Sequence, residues 1–247
     1  MARRARELSE SGMYHIMIRG IGPQLIFTDD EDCEKMLQIL ADVKEVSGCV
    51  IYAYCFMGNH GHFLIKAAGE SLEKIFKRVG TRYVYWFNLK YDRAGPLFQD
   101  RFLSEPVNDE EHLLSALRFI HQNPVKAGMC KELSEYKWSS YHEYTGGRKI
   151  ADTQFIYGLL GREEFIEFNN AEGLEAFLEY KKPASRVNDV RAKALIVELS
   201  GCGSFSEFQK LGLAEQRVFL KSFKKEGMSI RQISSLTGIS RGIVERA

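Results

Sequence analysis

The chain has 247 residues, 45% of them hydrophobic and 27% charged, with a formal net charge of +1. That composition excludes a disordered chain, and no apolar run approaches the roughly 18–20 residues that span a bilayer, so no membrane partner is expected. The even charge balance hides an uneven distribution: residues 74–101 and 217–247 each hold seven Lys/Arg against two acids, while residues 105–180 hold fourteen acids against seven bases. Two basic stretches suit two contact surfaces on a polyanion, the alternative being solvated helix faces. The start, "MARRARELSE", lacks the apolar core of a secretory signal. The five cysteines (Cys33, Cys49, Cys55, Cys130, Cys202) include no C-x-x-C pair, which points to reduced thiols in a cytoplasmic protein rather than a disulfide frame or a zinc cage.

In chain order, "MYHIMIRG" (13–20) alternates as a strand does, and residues 29–46 carry helical apolar spacing behind an acidic start. "CVIYAYCFMG" (49–58) is rich in β-branched and aromatic residues and reads as a strand; "GNHG" is turn chemistry, and "HFLIK" returns as the second strand of a hairpin. Residues 70–90 read as a helix broken by "DRAGP", and "FLSEPV" as a short strand that Pro106 assigns to a sheet edge. Asn108 is the expected cap of the next helix, with Glu111 completing a capping box, and that helix is expected to stop near Gln122, before Pro124. The order β, α, β, β, α, β, α predicts an α+β fold with an antiparallel-rich sheet covered by helices.

After Gly146 and Gly147 the strand signal fades, which suggests a sheet domain over 1–148, a helical connector over 149–204 and a separate module over 205–247. In that module Ser229 caps "IRQISSLTG", Gly238 turns the chain and Ser240 caps "RGIVERA", with Ile233, Leu236, Ile239 and Val244 available for a small core. This spacing predicts a helix-turn-helix, with Arg231, Arg241 and Arg246 available to duplex DNA; a plain helical hairpin is the alternative.

The chemistry concentrates in "CFMGNHGHFLIK", where His60 and His62 stand two apart. Side chains at i and i+2 of a strand share a face, so the two imidazoles project together and can chelate one divalent ion. By itself H-x-H is a weak signal, equally met by two histidines beside a turn. A second pattern, "KRVGTRYVYWFNLKYDR", interleaves bases with aromatics in the manner of a single-strand binding groove. Val79, Tyr83 and Trp86 are expected to be core, and Arg19, Lys77, Arg78, Arg82, Lys90, Arg93 and Arg101 are the expected DNA contacts of the first domain.

Taken together, "MYHIMIRG", "GNHGHFLIK", "RYVYWFNLKYDRAGPLFQDRF", "LRFIHQNPVKAG" and "YKWSSYHEY" resemble the single-tyrosine transposases of the HUH type, and among them the REP-associated tyrosine transposases. The C-terminal module resembles a DnaA-like helix-turn-helix. The resemblance implies a ferredoxin-like sheet and binding of single-stranded or hairpin DNA, by a monomer or a homodimer. It also implies Mg²⁺ or Mn²⁺ held by His60, His62 and Asn123, and attack on DNA by a tyrosine four residues before that Asn. Covalent tyrosine catalysis splits cleavage and rejoining into two matched steps, and a metal neutralises the phosphate.

The sequence departs from this pattern at the nucleophile. Residue 119 is Phe where the resemblance implies Tyr, although Asn123 follows on the same helix face. Gly61 also replaces a bulkier apolar residue between the histidines. Three explanations stand open for Phe119: an introduced Tyr→Phe replacement, a natural protein that has lost cleavage and kept DNA binding as a regulator, or substitution by Tyr83, Tyr85, Tyr91 or Tyr141. A nuclease acting through metal-activated water would need no tyrosine at all.

Overall fold

The computed structural model describes residues 6–147, 150–171, 177 and 189–247. The chain divides into two compact units, residues 1–178 and 179–247. The first contains β1 (Met13–Arg19), α1 (Asp30–Ser47), β2 (Val50–Met57), β3 (His60–Lys66), α2 (Leu72–Lys90), β4 (Leu103–Val107) and α3 (Glu110–Lys126). The short helices α4 (Tyr141–Thr145), α5 (Thr153–Leu160) and α6 (Arg162–Asn170) follow. The strands lie in the order β2-β3-β1-β4 and every neighbouring pair is antiparallel. This is the expected ferredoxin-like βαββαβ sheet, and it follows from two crossovers that each carry a helix and one tight hairpin.

Alternation divides the sheet into two faces. Tyr14, Ile16, Ile18, Tyr54, Phe56, Phe63 and Ile65 pack under α1 and α2 with Met36, Leu40, Ile75, Val79 and Tyr83. Met13, Ala53, Cys55, Met57 and Leu64 pack under α3 with Leu113, Leu117, Phe119 and Ile120. Both sheet edges are blunted, as edges must be to avoid pairing with another chain. Pro106 sits in edge strand β4, as expected. On the other edge "WSSY" runs along β2, with the Phe56 amide donating to the Trp138 carbonyl and the Ser140 amide to the Tyr54 carbonyl.

Local sequence explains the element ends. Asp29 caps α1 in a capping box with Asp32, and Gly48 closes it at φ 67°. The hairpin turn is Gly58-Asn59 alone, with Gly58 at φ 51° and Met57 paired to His60. His60 therefore belongs to β3 and not to the turn in which "GNHG" placed it. Two expectations for α3 shift as well. Its cap is Asp109, which accepts from the His112 amide at 2.7 Å, while Asn108 accepts from the Glu10 amide and the Ser9 hydroxyl. The helix also runs past Pro124 to Lys126. Proline here costs a hydrogen bond in the final turn, where the Ala127 amide still closes onto the Asn123 carbonyl.

The second unit contains α7 (Asp189–Ser200), α8 (Phe205–Lys210), α9 (Leu213–Lys225), α10 (Ile230–Thr237) and α11 (Arg241–Arg246). Ala192, Leu195, Ile196, Phe208, Leu220, Phe223, Ile233 and Val244 form its core, with Leu236 and Ile239 packed on it. Ser229 and Gln232 cap α10 reciprocally and Gly238 ends it at φ 71°. The stretch 149–204, read from sequence as a connector, is thus shared between the units. Phe165 of α6 packs on the sheet layer, and α7 belongs to the second core, because each short helix is amphipathic and needs a core to bury into. Among the described residues no helix is long and apolar enough to cross a membrane.

Candidate nucleic-acid cleavage site

The register of three strands assembles a histidine cluster under α3. Arg19 of β1 pairs with His60, and Met17 with His62, so His15, one pleat further along β1, lies diagonally beside His62 on the same face. His15 Nε2 lies 3.0 Å from His62 Nδ1, and the two rings stack at 5.2 Å. The His60 and His62 rings stand 5.1 Å apart, nearly perpendicular. His60 Nδ1 donates to the Asn59 side-chain oxygen at 2.7 Å, which leaves its Nε2 with a lone pair. Across β1, Glu105 of β4 pairs with His15 and places its Oε2 3.7 Å from His15 Nδ1.

Burial keeps these imidazoles neutral. It pushes His60 down to about 4, with the Arg19 charge adding to the effect. It pushes His62 well below the ordinary range, helped by His15 and His60. His15 is lowered by burial too, against the opposing pull of Glu105. Neutral imidazole is the form that binds metal.

Phe119 faces this cluster. Its ring meets His15 and His62 edge-on, each at 5.7 Å, and Lys126 Nζ lies 5.6 Å from its centroid. Phe177 packs on it at 5.1 Å and also touches His15 and His112. Asn123, one turn on, is half-buried, and its side-chain Nδ2 is buried without a hydrogen-bond partner. Among the described residues no three His, Cys, Asp or Glu side chains are arranged to hold a metal, so the candidate donor set is two histidines and an amide. Gly61 between the histidines has a steric reason: a Cβ there would meet the Phe27 ring at 3.3 Å and the Phe63 ring at 3.4 Å on the opposite face.

The residues next to Phe119 on α3 are structural. His121 Nδ1 donates to the Asn169 side-chain oxygen at 2.9 Å, and the Ser140 hydroxyl meets its Nε2 at 2.8 Å. Gln122 Nε2 donates to the carbonyls of Asn169 and Ala171. Together they clamp α3 to α6. The alternative tyrosines lie elsewhere: Tyr83 and Tyr91 pack in the α1/α2 layer, Tyr141 packs on His121 and Phe165, and Tyr85 is 73% exposed.

The basic residues of α2 are largely engaged within the fold. Lys90 lies 2.7, 2.9 and 3.0 Å from carboxylate oxygens of Asp29, Glu31 and Asp32, which ties the end of α2 to the start of α1. Arg78 pairs with Glu70 and Arg82 with Asp42, while Arg93 donates to Gln24 and to the Pro96 carbonyl. Lys77 and Arg101 are exposed and have no ion pair among the described residues. Both line a cavity of 330 Å³ walled by Ile18, Phe76, Val79, Phe98 and Phe102, on the α1/α2 side of the sheet. Val79 and Tyr83 are core as expected; Trp86 is half-buried against it. In the second unit Arg231, Arg241 and Arg246 are exposed. Sequence reading missed His15 and Glu105: both sit in recognised strands, but only the register brings them to His62.

Comparison with known proteins agrees with this architecture. Residues 9–123 match the family model "Transposase IS200 like". A putative REP-associated tyrosine transposase of Haemophilus influenzae is 28% identical over 102 residues, covering 36% of this chain and 57% of that protein. The chain therefore spans little more than half the length of that relative. A solved structure of a REP-associated tyrosine transposase bound to a REP hairpin superposes with a TM-score of 0.55, covering 72% of this chain and 96% of the other at 15% identity. That likeness is one of fold. Residues 9–123 are thus similar to the IS200-like transposases, and both the relative and the solved structure that the chain resembles are REP-associated tyrosine transposases.

Proposed function

We propose that this is a DNA-binding protein of transposase type whose sheet unit takes single-stranded or hairpin DNA, and that with Phe at position 119 it does not form a covalent adduct with it. The observation that carries this reading is the Phe119 ring, set against His15 and His62 where the resemblance implies a phenol. A phenylalanine packs there as a tyrosine would, but supplies no nucleophilic oxygen.

His60, His62 and Asn123 are the residues that would hold a divalent cation, Mg²⁺ or Mn²⁺. Two features support the fit: both histidines are kept neutral by burial, and Asn123 carries an orphaned buried amide end. Such an end costs free energy unless a ligand meets it, and the amide O and N are interchangeable by a flip. A bound cation would supply charge neutralisation on a phosphate oxygen. Around it, the chain's own residues exclude water through Phe119 and Phe177 and bring the Arg19 and Lys126 charges near. On the other side of the sheet, the aromatic-walled cavity rimmed by Lys77 and Arg101 suits a stacked base with its phosphate outside.

The second unit is proposed to bind duplex DNA through α11, with Arg241 and Arg246 toward the phosphates or base edges and Arg231 on α10. The test of the central reading is a pair of proteins, the chain as it stands and Phe119→Tyr, incubated with labelled single strands and Mn²⁺. Phe119→Tyr is expected to yield a protein–DNA band that survives denaturation, and the unaltered chain none. An adduct from the unaltered chain would mean that another tyrosine acts. No adduct from either protein on strands that bind well leaves a non-catalytic DNA-binding regulator as the function.

A further inference from the structure

We infer that His15 is a positioning residue for His62: through the chain Glu105–His15–His62 it holds the proton of His62 on Nδ1 and leaves Nε2 bare for a divalent cation. This rests on the reading of His60 and His62 as cation ligands and deepens it. The bond between His15 Nε2 and His62 Nδ1, at 3.0 Å, can run in either direction, and the direction decides which nitrogen of His62 carries a lone pair.

Three observations fix it. Glu105 Oε2 lies 3.7 Å from His15 Nδ1, too far for a direct hydrogen bond, but the carboxylate charge favours an N–H over a lone pair on the nitrogen that faces it, so the proton of His15 belongs on Nδ1. The reverse arrangement would turn an imidazole lone pair toward the carboxylate. With its proton on Nδ1, His15 offers only a lone pair at Nε2, and His62 must donate to it from Nδ1. Second, both rings are essentially shut off from water, at 0% and 2% exposure, so water cannot substitute for either partner. Third, the Phe119 ring lies edge-on to both imidazoles and hems them in, so the pair has little room to swivel.

His60 reaches the same state by a different route, since its Nδ1 donates to Asn59. The two histidines thus both present Nε2, one oriented by the turn and the other by a neighbouring strand. Outer partners of this kind set the tautomer and ring angle of a ligand, and losing one typically costs about 10–100-fold in metal affinity.

The test starts with the metal-free, unaltered full chain. A ring-nitrogen correlation spectrum should show His62 with a protonated Nδ1 and an unprotonated Nε2; a proton on Nε2 overturns the proposal without any variant. Mn²⁺ titration then compares three proteins matched for melting temperature. His15→Phe fills the space but cannot accept, and should bind Mn²⁺ about 10–100-fold more weakly, with His62 changing tautomer. His15→Gln can still accept through its carbonyl oxygen and should remain within a few-fold of the unaltered chain. Equal Mn²⁺ affinity in all three proteins, or equal loss in both variants, overturns the proposal. If the unaltered chain binds no Mn²⁺, the cation reading itself falls, a failure distinguishable because the tautomer is read without metal.

Discussion

On the face of the sheet under α1 and α2, Ile16, Phe56, Phe63 and Ile65 pack in an apolar cluster with the helices, and the buried hydroxyls of Tyr54 and Tyr83 there donate to Glu143 and to the Ile26 carbonyl. Under α3 the same strands bury His15 and His62, and α3 adds Arg118, His121 and Gln122. The apolar face stabilises the fold through area removed from water. The α3 face carries polar groups whose desolvation must be offset by partners. Most have one: His121 is held between Asn169 of α6 and Ser140, Gln122 donates to the Asn169 carbonyl, and Arg118 lies 4.4 Å over the Phe168 ring. The Asn123 amide nitrogen is buried without a hydrogen-bond partner, which is the property expected of a proposed ligand-binding group.

The contrast breaks if the two faces respond alike to truncation. Phe63→Ala, on the apolar face, should destabilise the chain by about 3–5 kcal/mol, measured by denaturant unfolding, because it leaves a cavity among Phe56, Phe76 and their neighbours. His62→Ala, on the other face, should lower Mn²⁺ affinity by at least about 100-fold in a calorimetric titration, exceeding the usual effect of an outer partner. If the apolar-face variant, where folded, loses Mn²⁺ binding as severely as His62→Ala, the division of labour between the faces is wrong.

Acid sharpens the comparison. Burial holds His121 down at about 4, partly countered by Asn169, and holds His60 at about 4. The unfolded chain takes up these protons near pH 6.5 and the folded one does not, so stability is full above that pH and falls as pH drops toward 4. Each such group contributes a slope of at most about 1.4 kcal/mol per pH unit within that window. His121→Gln should flatten this acid limb without touching Mn²⁺ affinity, and an unchanged limb would show that His121 titrates normally. The smallest effect concerns the rim of the cavity. Lys77→Ala and Arg101→Ala should each reduce the salt slope of single-strand binding by about one phosphate's worth, whereas Arg82→Ala, already paired with Asp42, should change it less.

Much of this was legible in local sequence. The strand–helix order, the Ser229 cap, the edge proline and the shared face of His60 and His62 follow from periodicities of two and 3.6 and from side chains that bond within a few residues. So does the absence of a hydroxyl at Phe119, visible once the surrounding motif is aligned. Tertiary structure decided the remainder. Strand register brought His15 and Glu105, 47 and 43 positions from His62, to the same cluster, and no local pattern encodes register between strands. Long-range pairing likewise drew Lys90 to the start of α1 and Arg82 to Asp42, converting an apparent basic face into internal ion pairs. The tight fit of the Phe27 and Phe63 rings explains Gly61. Helix and turn chemistry is written within a few residues of itself, whereas the site is made where separate strands and a helix meet, and its geometry exists only after they have packed.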